Sequence, residues 1–169
     1  MTIVLEAGVN WATIAYEKYL DNYPYAPVFT HAFLHIQNGE CINVGLKTKN
    51  QNIAELLSPS HFYLAINFTD ITPEQVAAGI AFAYKRIRQS KENPFKIYDA
   101  WGFLCFGIRK LGFKVKSSEK FDFCSDEVCD NFAIMPYPLF SPGCGEITSP
   151  CGLYLMVKDY QYSNINKLD

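Results

Sequence analysis

Phe121-Asp122-Phe123-Cys124-Ser125-Asp126-Glu127-Val128-Cys129-Asp130-Asn131-Phe132 is the segment from which the rest of the chain can be read. Cys124, Val128 and Phe132 recur at steps of four, which places them on one face of a helix. Ser125, Asp126 and Glu127 suit a first helical turn, where backbone N–H groups lack partners and the dipole favours negative side chains. The pattern predicts a helix with Cys124 at or just before its N-terminus. A thiolate is stabilised there and its pKa falls, as a nucleophilic cysteine requires. The plainer reading is a small buried side chain at a helix start. The choice turns on whether the chain supplies a base.

A cysteine nucleophile needs a base in hydrogen-bond reach and a group that orients the base. Val28 to Ile36 is rich in β-formers and reads as a strand, Asn38-Gly39 as a hairpin turn, and Glu40 to Leu46 as the return strand. His31 on the first strand and Asn43 on the second are the candidates. A two-residue turn would pair Leu34 with Asn43 and put Asn43 on the opposite face from His31. Setting Asn43 across from His31 needs a longer loop, about His35 to Gly39. His35 competes with His31, sharing its face roughly 13 Å away. That separation argues against one metal held by both. His61 opens another strand, His61 to Phe68, and reads as structural or exposed.

The remaining elements follow from local signals. Trp11 to Asp21 reads as a short helix, and Asn22 to Pro27 as a loop. Lys47 to Ser60 is polar and reads as loop, with a helical turn at Ile53 to Leu57. Thr72-Pro73-Glu74-Gln75 is a helix start: Thr72 caps, Pro73 takes the first position and Gln75 stands three after the cap. That helix should run to about Ser90. Tyr98 to Leu111 is apolar nearly all round and predicts a buried helix ended by Gly112. Pro136, Pro138, Pro142 and Pro150 mark a long loop, after which Gly152 to Lys158 suits a last strand or a helical turn.

At 169 residues, 49% hydrophobic and 15% aromatic, the chain is expected to form one domain, 1–169, with a real core. A net charge of −2 without a long basic run argues against nucleic acid. No apolar run approaches the ~18 residues of a membrane span. Met1-Thr2-Ile3-Val4-Leu5-Glu6 lacks the basic start and apolar block of a secretory signal, so a cytoplasmic setting is the default expectation. The six cysteines then read as reduced thiols, although Cys144 and Cys151 flank a turn region and could pair in an oxidising space. Cys124 and Cys129, five apart on a helix, point in different directions. No cofactor and no metal are expected.

The order of three motifs resembles a known family: Thr30-His31 on a strand, then Tyr98-Asp99-Ala100-Trp101-Gly102, then Phe123-Cys124-Ser125-Asp126-Glu127-Val128. It is similar to the circularly permuted NlpC-like papain-fold hydrolases (the YiiX-like group), in which the histidine strand precedes the cysteine helix. Ser149-Pro150-Cys151-Gly152-Leu153-Tyr154 resembles that family's Pro-rich ending, so the likeness spans roughly residues 25 to 156. It implies an α+β papain-like domain, a small antiparallel sheet packed against helices. It also implies Cys124 as nucleophile, His31 as base, Asn43 as the orienting residue and Tyr98 near the substrate. The activity implied is cleavage of a peptide or cell-wall peptide amide, or transfer of an acyl group. Two residues depart from the pattern. Asp126 stands where the family has Glu, and Asn43 where it often has an acid. Carboxylates near Cys124 would oppose its ionisation, so a non-catalytic binding module on the same fold is the alternative.

Overall fold

Ile3, Val4 and Leu5 are wholly buried, and they belong to Thr2–Ala7 (β1), an interior strand of the sheet. The computed structural model describes residues 1–8, 11–19, 22–36, 38–44, 48–68, 70–92, 108, 111–113, 124–135, 140, 148–158 and 162–164. After β1 come Trp11–Tyr19 (α1), His31–His35 (β2), Glu40–Val44 (β3), Thr48–Asn52 (β4), Ile53–Leu56 (α2) and Phe62–Asn67 (β5). Pro73–Glu92 (α3), Cys124–Ile134 (α4), Pro150–Val157 (α5) and Tyr162–Asn164 (β6) follow. The six strands form one sheet in the order β4-β3-β2-β1-β5-β6, and neighbours pair antiparallel. The fold class is α+β.

Alternation along the strands sorts side chains onto two faces. Ile3, Leu5, Ala32, Leu34, Ile42, Leu64 and Ile66 face the main core, which Val128, Phe132, Leu153 and Val157 complete from α4 and α5. Val4, Phe33, Cys41, Tyr63 and Ala65 face the other way, against Ile53, Leu56 and Leu57 around α2. β1 is buried on both faces, so its apolar residues run on without alternating.

The start of α3 matches the sequence reading. Gln75 N donates to Thr72 Oγ1 at 3.3 Å while Thr72 N donates to Gln75 Oε1 at 2.9 Å, a reciprocal capping box. Gln75 Nε2 also donates to the carbonyl of Met135, tying α3 to the end of α4. Phe132 packs between Phe68 and Phe140 with its ring tilted to both, ring centroids 4.7 and 4.9 Å away.

Two expectations need correction, and one open alternative is decided. Lys47 to Ser60 is not mainly loop, since Thr48–Asn52 pairs with β3 as an edge strand, where polar side chains are at home. Gly152 to Lys158 is helical, because Ser149 caps α5 through its Oγ, which accepts from Gly152 N at 3.0 Å, and Pro150 takes the first position. The hairpin register is also shifted. Leu34 faces Ile42 and His35 faces Cys41, one residue away from the two-residue-turn pairing. Of the predicted helix Tyr98 to Leu111, only Ile108 and Leu111 are among the described residues; Gly112 beyond it has φ +88°, the left-handed conformation that ends helices. Among the described residues no helix is long and apolar enough to cross a membrane.

Candidate active site

The register shift carries Asn43 to the face that His31 occupies. With Leu34 opposite Ile42, the residues on either side alternate so that His31, Phe33, Cys41 and Asn43 project to one side of the sheet. Asn43 Oδ1 lies 2.7 Å from His31 Nε2, and Asn43 Nδ2 donates to Gln51 Oε1 of β4 at 2.8 Å. An imidazolium can only donate, so the carbonyl end of the Asn43 amide must face it. Gln51 accepts from the other end and fixes that orientation. The chain Gln51–Asn43–His31 thus crosses three adjacent strands.

Cys124 is the first residue of α4 and His31 the first of β2; α4 packs against β2, and at this end the two side chains hydrogen-bond to each other. Because Nε2 is engaged by Asn43, Nδ1 is the ring nitrogen left to meet the thiol. Ser125 Oγ donates to the Thr148 carbonyl at 2.5 Å, anchoring the helix start beside α5.

The electrostatics favour separated charge. Cys124 is 3% exposed, and burial alone would raise its pKa. The positive charge and hydrogen bond of His31, with N–H donors from Ala32 and Ser125, outweigh burial and hold the thiol below its ordinary value. Burial likewise opposes the His31 cation, yet Cys124, Asn43 and Glu6 together raise its pKa from 6.5 to about 9. Both shifts act in the direction that favours a thiolate beside an imidazolium. The buried carboxylate three residues after Cys124 has partners of its own. Glu127, 1% exposed, is held by Arg86 Nε at 3.1 Å and Asn131 Nδ2 at 2.9 Å.

The structure brings together Cys124, His31 and Asn43. His35 stands apart at the far end of β2, with Cys41 as its pairing partner on β3. Tyr98 lies outside the described residues, as does Cys144; Cys151 is a buried thiol whose Sγ accepts from Phe29 N at 3.2 Å. Gln51 escaped the sequence reading because its segment carries no β signal. No protein-family model matches the chain, and no curated protein matches it.

Proposed function

We propose that the chain is a cysteine hydrolase acting on an amide or related acyl bond, with Cys124 as nucleophile, His31 as general base and acid, and Asn43 orienting the imidazole. One observation carries the reading: a single imidazole is bound to a helix-start thiol on one side and to Asn43 Oδ1, 2.7 Å away, on the other. The order of histidine strand before cysteine helix also agrees with the permuted papain-like resemblance, and that finer fold reading belongs to the same proposal.

The thiolate Sγ attacks the carbonyl carbon, and the carbonyl electron pair moves onto oxygen. Backbone N–H groups and the dipole at the start of α4 favour that oxyanion. As the tetrahedral species collapses, the bond to the leaving group breaks and His31 passes its proton to the departing amine, leaving a thioester on Cys124. Neutral His31 then takes a proton from water, whose oxygen attacks the thioester and releases the acid. A nucleophile other than water would give acyl transfer from the same intermediate. Throughout, Asn43 keeps the ring in the plane that serves both proton transfers.

An activated ester such as p-nitrophenyl acetate tests the reading. A burst of nitrophenol equal to the enzyme concentration should appear, with an acetyl group found by mass on Cys124. In Cys124→Ala both should vanish while the fold is retained. A burst that persists in this variant would remove the basis for the proposal.

A further inference from the structure

Across β2 from Asn43, a third side chain faces His31. Glu6 of β1 and His31 of β2 are direct pairing partners, so their Cβ atoms stand about 4.5–5.5 Å apart on one face. Glu6 pairs on its other side with Tyr63 of β5, and His61, two residues earlier, lies toward the same face. The Tyr63 hydroxyl is engaged elsewhere, donating to the Leu56 carbonyl and accepting from Ser58 N. His61 Nδ1, by contrast, lies 2.5 Å from Glu6 Oε1, and the two side chains are only 21% and 16% exposed. Among the described residues, Glu6 therefore faces His61 just before β5, Tyr63 from β5 and His31 from β2. His31 faces Glu6 from β1, Asn43 from β3 and Cys124 from α4.

Asn43 orients the imidazole but carries no charge, whereas a carboxylate at that distance would favour the cation. We infer that Glu6, held in place by His61, supplies the negative charge that Asn43 lacks: it is a positioning residue that favours the imidazolium form of His31 and raises the upper edge of the pH range in which the thiolate–imidazolium pair persists. This inference rests on the Cys124–His31 reading above. It divides between two residues the work that one acidic partner would do alone, with Asn43 fixing the ring and Glu6 biasing its protonation. Glu6 adds to the rise of the His31 pKa after the larger influences of burial, Cys124 and Asn43.

The chain has three histidines, so nitrogen-detected NMR of the imidazoles can follow His31 by itself through a pH titration. Glu6→Gln should lower its midpoint by roughly 0.5–1 unit, a modest shift for removing a neighbouring charge at a partly solvated site. The high-pH limb of the ester reaction should move down with it. Glu6→Thr, whose side chain suits a strand, removes the same charge and should shift the midpoint likewise even if Glu6→Gln does not fold. Glu6→Asp keeps the charge and should restore most of the wild-type value. His61→Asn retains a donor near the Nδ1 position and leaves the Glu6 charge in place, so its midpoint should stay close to wild type. Unchanged midpoints in both charge-removing variants would overturn the inference, as would an equal fall in His61→Asn, which would signify mere loosening of the strands. Cys124→Ala is the control. If it lowers the His31 midpoint while Glu6→Gln and Glu6→Thr do not, the ion-pair reading stands and Glu6 has no part in it. If it leaves the midpoint unmoved, the pair itself is wrong and the inference falls with it.

Discussion

Asn43 Oδ1 meets His31 Nε2 at 2.7 Å because Leu34 pairs with Ile42, and a one-residue slip of β3 would carry Asn43 to the opposite face. The contact thus depends on hairpin register as much as on residue type. Asn43→Ala should leave the ring free to rotate about its axis and reduce the rate of ester turnover about a hundredfold, the scale of a misplaced catalytic group. Gln51→Ala acts one step further out, through the amide it orients, and should cost about tenfold. Steady-state assays of both variants, alone and combined, check this. Because Gln51 acts through Asn43, the double variant should be hardly slower than Asn43→Ala, whereas independent losses would multiply.

The helix and hairpin that carry this contact were legible because each rests on local signals. The four-residue spacing from Cys124 to Phe132, the capping box at Thr72 and the turn at Asn38-Gly39 act within a few residues of themselves. β1 was not read as a strand, because burial on both faces gives Ile3-Val4-Leu5 a short apolar run without alternation. β4 was missed for the opposite reason. Thr48-Lys49-Asn50-Gln51-Asn52 is polar throughout, and only its pairing with β3 makes it a strand. The same logic hides Gln51 and Glu6 from a sequence reading, since their partners His31 and Asn43 are defined by strand order and register.

Thiol reactivity should separate Cys124 from Cys41 by charge. Both are buried, but burial pushes the Cys41 thiol up to about 12, whereas His31 holds Cys124 below its usual value. Brief treatment with iodoacetamide at pH 6.5, followed by mass mapping, should label Cys124 and leave Cys41 unmodified. His31→Ala removes the main stabiliser of the thiolate and leaves burial unopposed. Labelling of Cys124 should then fall about a hundredfold, the change expected when an adjacent opposite charge worth about two units is lost. Equal labelling of Cys41 and Cys124 would contradict the charge separation.

Glu127, three residues after Cys124, should prove structural. Its carboxylate is 1% exposed and meets Arg86 from α3, so Arg86→Ala would strand a buried charge and cost about 3 kcal/mol in a denaturant titration. Replacing the carboxylate as well, in Arg86→Ala with Glu127→Gln, should recover a large part of that loss, because the neutral amide tolerates burial better. Neither change should move the pH limits of the ester reaction at temperatures where the variants are folded. A shifted limb would mean that Glu127 acts on the thiolate after all.

His35 offers the contrast that tests the choice of base. It stands on the same strand and face as His31, four residues along and so roughly 13 Å away. Its surroundings act in the reverse sense: burial, and then the positive chain terminus at Met1, lower its pKa below 6.5. A base whose pKa is depressed by folding contributes stability above its unfolded pKa and loses it as acid protonates the folded form. Wild type should therefore exceed His35→Gln in stability by the most above pH 6.5, and the difference should shrink as the pH falls below that value. Ester turnover at neutral pH should hardly change in His35→Gln. His31→Gln should cost about a hundredfold or more, as loss of a general base does. Urea titrations at pH 7.5 and 5, set beside rates for both variants, complete the comparison. A large rate loss in His35→Gln with little in His31→Gln would put the base at the wrong end of β2 and dismantle the site built on Cys124.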